Sequence, residues 1–249
     1  MCLDEFELWE REIDDTQLKP CMQTILSDLK QQNNGVAEII KKFATDTVGF
    51  NWTVKDGSLN GANASTSQQY NTTNSTVTTT FDSFRMKDAS DLSVARTILH
   101  ESIHAYIIAY SRVNPTNVNN TFPKLMEDLL KSRYASSNDT QHAEFVRNYV
   151  NDIALSLMDY GSSKGYNLSS QFYKDLAWGG LTHWAKRDSQ GNIIKDSNGN
   201  TIYEETSWFK FAYTNSSDRT RVTNIIAIEQ TGKDSQGNSK NQKGSNANC

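Results

Sequence analysis

The chain has 249 residues, enough to bury one large hydrophobic core, and 36% of them are hydrophobic and 10% aromatic. This composition excludes an intrinsically disordered protein. The net charge of −4, without clustered Lys or Arg, gives no indication of a nucleic-acid-binding surface. The sequence also contains no apolar run that is long enough to cross a membrane.

Hydrophobic periodicity predicts helices and strands along most of the chain. The predicted helices, in chain order, are 17–32, 36–44, 91–112, 122–135, 141–160, 169–178 and 217–230. The predicted strands are 48–55 and 76–86, joined by a polar loop, and a later β-hairpin falls at about 186–206, where Asp-Ser-x-Gly-Asn turns recur. This order favours an α+β fold, in which a small N-terminal sheet packs on the helix 91–112 and on further helices, with the hairpin as a C-terminal appendage.

We predict a single domain over residues 1–230, followed by a disordered polar tail over 231–249. None of the three cysteines belongs to a CxxC pair, so a cysteine-based zinc site is not indicated. Cys2 and Cys21 bracket one N-terminal segment and either form a disulfide or stay free thiols, whereas Cys249 is expected to be free or intermolecular. A polar composition with few cysteines favours an exported bacterial protein (periplasmic, surface-bound or secreted), and the sequence given contains no signal peptide.

The stretch "HESIH", residues 100–104, matches the pattern H-E-x-x-H. Residues four apart on a helix share one face, so the imidazoles of His100 and His104 can bind one zinc ion. Glu101 lies about 100° further round the helix, where it can act as general base on a water molecule that the zinc acidifies. Two histidines on an ordinary helix are the alternative, which the rarity of the pattern disfavours. The sequence therefore predicts a metal site with Glu101 as its catalytic residue.

A zinc site of this kind needs a third protein ligand and an open fourth position. His142 is favoured, because it begins the predicted helix 141–160, whose apolar face can pack on the helix 91–112. Glu144 is the alternative ligand, since carboxylates also complete such sites, and His183 is the remaining candidate. Residues two apart on a helix do not share a face, so we expect only one of His142 and Glu144 to bind.

Hydrolysis would also need a group that stabilises the negative charge of the transition state. The candidates are Tyr106, Tyr149, Tyr173 and His183, with core packing as the alternative for each tyrosine. A ligand histidine usually donates its second N–H to a carboxylate, for which the candidates are Asp152, Asp159 and Asp175. The glycines of "WGGL", residues 178–181, predict a tight turn near the site.

The segments "TILHESIHAYI" and "QHAEFVRNYVN" resemble the SprT-like zinc metallopeptidases, over about residues 90–160. The resemblance implies a zincin-like fold, zinc bound by His100, His104 and His142, Glu101 as the base, and a protein or peptide substrate. The chain departs from that family in a longer gap before the third histidine and in lacking a basic or zinc-ribbon extension, so DNA repair is not implied. The flanking segments "KPCMQTILSDLK" and "YKDLAWGGL" are similar to exported metallopeptidases of Bacteroidetes-type bacteria.

Three functional hypotheses follow. The first is a zinc metallopeptidase that hydrolyses peptide bonds with a water molecule activated by Glu101. The second is a non-catalytic, metal-stabilised binding module, in which the hairpin and nearby aromatic residues recognise a partner; these aromatics are Trp178, Trp184, Trp208 and Phe209. The third keeps the zinc chemistry in a toxin-like effector protease.

Overall fold

The computed structural model describes residues 13–32, 50–67, 69–111 and 139–249, of which the side chains of 110–111 and 139–145 are left out. Its helices are α1 (Pro20–Lys30), α2 (Asp91–Ser111), α3 (Asp139–Ser163), α4 (Ser170–Ala177), α5 (Ser207–Ala212) and α6 (Ser216–Thr231). Its strands are β1 (Asp14–Gln17), β2 (Asn51–Asp56), β3 (Ala64–Thr66), β4 (Thr76–Phe81), β5 (His183–Ala185) and β6 (Tyr203–Glu205). The predicted α+β class is confirmed, while the predicted helices 36–44 and 122–135 lie outside the described residues.

A mixed four-stranded sheet has the order β1-β2-β4-β3. β1, β2 and β4 run parallel, whereas β3 pairs antiparallel with β4 and places Thr66 opposite Thr79. Alternate residues of β2 and β4 are buried, among them Trp52 and Val77, as expected for strands with one face on the core. The sequence predicts β2 and β4 but assigns β3 to a polar loop and the end of β1 to a helix. These strands are three and four residues long, so only their pairing with neighbours defines them.

Helix α2 lies at the centre of the molecule and packs against α1, α3, α4, α6, β3 and β4. It is buried along nearly its whole described length because these elements enclose it. Its buried apolar residues include Leu92, Val94, Ala95, Ile98, Leu99, Ile103, Ala105, Ile107 and Ile108. Its first residue follows Ser90, whose Oγ accepts a hydrogen bond from the N–H of Ser93 at 3.2 Å, an N-cap contact. The predicted helix 91–112 therefore exists and is held by contacts with six other elements.

The segment 231–249, expected to be a disordered tail, is instead packed against the start of α2. The N–H of Asp91 donates to the carbonyl of Ser245 at 2.8 Å, and the N–H of Ala247 donates to the carbonyl of Ala89 at 3.0 Å. The polar composition of the segment suggested solvation, but its backbone groups find partners on the protein rather than in water. The disorder prediction is therefore wrong for this part of the chain.

A buried carboxylate on α6 anchors the same segment. Glu229 is fully buried, and its carboxylate accepts hydrogen bonds from the N–H groups of Lys243 and Gly244 at 2.7 and 3.2 Å. The hydroxyl of Ser90 donates to Glu229 Oε2 at 2.5 Å. A buried carboxylate is stable only when it is paired or hydrogen-bonded, so these contacts fix the C-terminal segment and the cap of α2 together.

A disulfide joins Cys21 on α1 to Cys249, with a Cα–Cα distance of 5.6 Å. Local spacing in the sequence predicts a Cys2–Cys21 disulfide or free thiols, and a free or intermolecular Cys249. That expectation is corrected, because the packed C-terminal segment carries Cys249 to α1, which a reading of local spacing could not reveal. Cys2 itself lies outside the described residues.

The predicted hairpin is present, with β5 and β6 paired antiparallel from His183–Glu205 to Ala185–Tyr203. Its two Asp-Ser-x-Gly-Asn turns have one structure, and a third copy near the C-terminus repeats it. In each turn the Asp carboxylate accepts the N–H groups of the third and fifth residues; the aspartates are Asp188, Asp196 and Asp234. Turn geometry, not calcium coordination, accounts for the repeated motif. Among the described residues, no helix is long and apolar enough to span a membrane.

Candidate metal centre

His100 and His104 lie one turn apart in the middle of α2, and their rings converge. The two Nε2 atoms are 2.9 Å apart, and the ring centroids are 4.7 Å apart. One potential ligand atom from each of His100, Glu101 and His104 can be chosen so that all three lie within 4.8 Å of one another. The i, i+4 spacing has therefore produced the convergence that the sequence predicts, within a rigid and central helix.

Burial keeps both imidazoles neutral. It lowers the pKa of His100 to about 3, with a smaller contribution from the positive charge of Arg96. It also lowers the pKa of His104 well below its ordinary value, helped by the neighbouring His100. A neutral imidazole is the form that binds a metal, so both residues can act as ligands at neutral pH without first losing a proton.

Glu101 is 6% exposed, and its Oε2 accepts a hydrogen bond from the hydroxyl of Thr66 at 2.6 Å. Burial raises the pKa of Glu101 to about 7, while the Thr66 hydrogen bond and the positive charge of Arg96 act in the opposite direction. The carboxyl group therefore changes protonation state near neutral pH, which suits a general base.

A chain of hydrogen bonds connects Glu101 to the core of the sheet. The indole Nε1 of Trp52 donates to Thr79 Oγ1 at 2.8 Å, and Thr79 Oγ1 lies 2.8 Å from Thr66 Oγ1. An indole N–H can only donate and an ionised carboxylate can only accept. When Glu101 is ionised, the hydroxyl of Thr66 donates its hydrogen to the carboxylate. The hydroxyl of Thr79 must then be the donor in its hydrogen bond with Thr66. The paired positions in β3 and β4 thus orient the Glu101 carboxylate.

The cluster opens into a cavity of about 560 Å³, lined by α2, by α6, by the start of β3 and by residues 180–183. The predicted turn at "WGGL" is confirmed beside the site. Gly180 has φ +85°, and a Cβ atom there would lie 2.9 Å from Cε1 of His100. A Cβ on Gly179 would lie 2.6 Å from the guanidinium carbon of Arg96. Only glycine allows the backbone to approach both side chains this closely.

The structure describes the side chain of only one of the three candidates for the third metal ligand, His183. His142 and Glu144 belong to α3, but their side chains lie outside the described part of the structure, so their assignment stays a prediction. His183 lines the same cavity, and its Nδ1 lies 3.1 Å from the hydroxyl of Thr182. It is not part of the close cluster of His100, Glu101 and His104.

Two of the tyrosines predicted to stabilise the transition state lie in different places. Tyr149 is fully buried, and burial together with the charge of Glu101 raises its pKa, so this tyrosine lies near the cluster. Tyr173 lies elsewhere, where burial raises its pKa and the neighbouring Tyr166 and Asp91 add to the effect.

Asp175, a candidate for orienting a ligand histidine, is instead bound by Arg221 at 2.7 Å. Its Oδ1 also accepts from the hydroxyl of Tyr213 at 3.0 Å. This carboxylate therefore ties α4 to α6.

Sequence reasoning missed three residues beside the site. Arg96 precedes His100 by one helical turn, a signal present in the sequence, and it lines the cavity. Gln230 and Thr66 come from distant segments and gave no local signal. Comparison with protein-family models, curated proteins and solved structures found no match to this chain.

Proposed function

We propose that this chain is a zinc-dependent hydrolase, and most specifically a metallopeptidase. The observation that carries the proposal is the convergence of two neutral imidazole nitrogens beside a carboxyl group of near-neutral pKa, at the wall of an open cavity. Structural zinc sites are closed by four protein ligands, whereas catalytic sites keep one position open. Access through the cavity supports the catalytic kind.

The donor atoms fit a zinc ion. Two nitrogens at about 2.0–2.1 Å from a tetrahedral zinc stand roughly 3.3 Å apart, close to the 2.9 Å between the Nε2 atoms of His100 and His104. Both donors are neutral, as zinc ligation requires. An ion held there supplies Lewis-acid chemistry, by acidifying a water molecule and polarising a carbonyl group.

Glu101 performs the proton transfer in this proposal. Thr66 holds the carboxylate by hydrogen bonds from its hydroxyl and its backbone, and Glu101 lines the cavity, where it can accept a proton from the attacking water. Because burial raises the pKa of Glu101 to about 7, the carboxylate can take this proton and later release it to the departing amine. Tyr149 and His183 are the candidates for stabilising the negative charge on the substrate carbonyl.

The register of α3 supports His142 over Glu144 as third ligand. Position 142 precedes the buried residues Val146 and Tyr149 by about one and two turns, and Tyr149 lies beside α2, because the charges of Glu101 and Arg96 act on its pKa. Position 144 precedes the exposed Asn148 by one turn. A ligand must come from the face turned to α2, so His142 is the proposed ligand and His183 the alternative.

Metal analysis and peptide cleavage test the proposal together. We expect His104→Ala and His142→Ala to lose bound zinc, whereas the matched variants Glu144→Ala and His183→Ala retain it. Glu101→Gln should retain zinc and lose cleavage of unstructured peptides, followed by mass spectrometry. Undiminished cleavage by Glu101→Gln would contradict the base role, and full zinc content in His142→Ala would contradict the ligand assignment.

The hairpin gives specific support to the binding-module alternative. Large apolar side chains are exposed there, with Tyr203 at 64%, Ile193 at 43% and Ile202 at 37% exposure. Trp184 of the hairpin packs edge-on against Trp208, with the ring centroids 6.0 Å apart. A chain that retains zinc and cleaves no peptide, but binds a partner through this hairpin, would favour that function over hydrolysis.

The Cys21–Cys249 disulfide supports the proposal that the protein is exported. Disulfides persist in oxidising compartments and are rare where thiols are kept reduced. Thiol titration of protein isolated directly from cells tests this. Two free thiols at these positions would contradict export.

A further inference from the structure

Arg96 carries a buried positive charge at the wall of the cavity. Its side chain lies one helical turn before His100 and is only 6% exposed. Of its five N–H donors, one bonds a described residue, from Nη2 to Oε1 of Gln230 at 3.3 Å. Its Nε is buried and has no hydrogen-bond partner. A buried guanidinium donor without a partner is costly unless an acceptor joins it.

Gln230, at the end of α6, adds a second unmet donor. Its Oε1 accepts from the hydroxyl of Ser93 at 3.0 Å and from Arg96, which fixes the orientation of the amide group. The other end of the amide, Nε2, is buried without a partner. Two adjacent side chains that line one cavity therefore each carry a buried donor atom without an acceptor.

The charges around the cavity favour an anion at this position. Among the described residues of the lining, Arg96 and Glu101 carry formal charges, and these charges attract each other. Burial lowers the pKa of Arg96 to about 10, so the guanidinium stays charged at neutral pH. No described carboxylate lies within ion-pair distance of it. A divalent ion at the histidines would give the cavity a net positive charge.

We infer that Arg96 and Gln230 form a subsite for a carboxylate group of the molecule that enters the cavity. The planar guanidinium matches the two oxygens of a carboxylate, and the Gln230 amide adds a neutral donor. The backbone of Gly179, which packs against the guanidinium, keeps this side chain in place.

The position of the subsite limits where the carboxylate sits in a substrate. Arg96 and His100 are four positions apart on α2, which corresponds to a rise of about 6 Å. One or two residues of an extended peptide span that distance. As a substrate subsite it rests on the proposed function, and it implies cleavage one or two residues away from a carboxylate. That group is the C-terminus of a peptide or the side chain of Asp or Glu. The binding of a carboxylate, in contrast, requires no hydrolysis.

Binding to the metal-free full-length protein tests the inference separately from catalysis. The probes are N-benzoylglycine and N-benzoylglycinamide, which differ only in their carboxylate and amide ends. Calorimetric titration is expected to show binding of the acid about tenfold or more tighter than the amide. The metal-free protein is used because a carboxylate can also bind zinc. Equal affinities for the two probes would overturn the inference even if the zinc-loaded protein cleaves peptides.

Two variants locate the effect. Arg96→Gln removes the charge, and Gln230→Glu replaces the unmet donor by a carboxylate while it keeps an acceptor for Arg96 and Ser93. Gln230→Glu is expected to fold even if Arg96→Gln does not, because the new carboxylate can form an ion pair with Arg96. Both should abolish the preference for the acid, whereas the exposed Arg147→Gln should retain it. A preference that survives in Gln230→Glu would overturn the assignment of these residues.

A second probe pair identifies the source of the carboxylate. N-acetylglutamate α-amide and N-acetylglutamine α-amide differ only at the side chain, with the C-terminus blocked in both. A preference for the glutamate probe similar to that for N-benzoylglycine indicates side-chain recognition, and its absence indicates recognition of a C-terminus. If metal-loaded protein hydrolyses peptides, Gln230→Glu should lower kcat/KM about tenfold or more for the preferred carboxylate substrate, with zinc content unchanged.

Discussion

Replacement of Thr79 by valine tests the hydrogen-bond chain that connects the sheet to Glu101. Valine has nearly the shape of threonine, but it can neither accept from the indole of Trp52 nor donate to Thr66. Thr79 and Trp52 are both fully buried, so water cannot replace the lost acceptor. The substitution therefore removes one hydroxyl group and its two hydrogen bonds without opening a cavity.

The expected destabilisation follows from that burial. A buried donor left without an acceptor costs about 1–3 kcal/mol, so Thr79→Val should lower the free energy of unfolding by about 2 kcal/mol. For a chain of this size that corresponds to a fall in Tm of roughly 4–8 °C. The matched variant Thr79→Ser keeps the hydroxyl and loses one buried methyl group, at a cost of about 1 kcal/mol.

Urea unfolding of the metal-free protein, followed by tryptophan fluorescence and circular dichroism, provides the measurement. We expect the order of stability to be wild type, Thr79→Ser and then Thr79→Val. If the valine variant were as stable as the serine variant, the hydroxyl would contribute nothing, and the chain from Trp52 to Glu101 would not position the carboxylate. An unchanged denaturant m-value checks that the unfolding reaction itself is the same.

Three further predictions concern protonation, covalent linkage and close packing. The pKa of Glu101 is raised from 4.5 to about 7 in the folded protein, so the metal-free wild type should lose stability relative to Glu101→Gln as pH rises through that window. The total loss is about 3 kcal/mol, with no further change above the window. Parallel pH profiles of the two proteins in urea unfolding would refute this. Cys249→Ser should lower the free energy of unfolding by about 2–5 kcal/mol under oxidising conditions and make stability insensitive to added reductant. Gly180→Ala should weaken zinc binding, because its Cβ would displace the imidazole of His100. Gly165 has a similar positive φ, but a Cβ there would meet no atom within 4 Å, so Gly165→Ala should leave zinc affinity unchanged. Equal zinc affinities of these two variants, measured against a competing chelator, would refute the packing argument.

Local patterns predicted the elements that carry strong periodicity. Helix α2 occupies Asp91–Ser111, against a predicted 91–112, because its apolar residues and its cap are contained in the local sequence. The hairpin followed from its turns in the same way. The convergence of His100 and His104 needed only helical geometry, so it too could be predicted.

The remaining site residues depend on contacts between distant segments. Thr66 reaches Glu101 only because β3 pairs with β4 at the sheet edge, and nothing in "ANASTSQQ" predicts that strand. Gln230 reaches Arg96 because α6 packs on α2. The C-terminal segment gave the most misleading signal, since a polar composition cannot distinguish solvated backbone from backbone bonded to a buried Glu229. Each of these errors comes from tertiary structure that overrides local preference.

The chemistry of the buried cluster argues against a role in core packing alone. In the metal-free chain, burial disfavours the charged forms of His100 and Glu101, and it moves the two pKa values in opposite directions, to about 3 and about 7. Apolar residues of similar volume would avoid both effects. A divalent cation changes the balance, because neutral imidazoles are its ligands and its charge favours an ionised carboxylate nearby. The hydrogen bond from Thr66 favours that same ionised form, so the sheet and the proposed ion act on Glu101 in one direction.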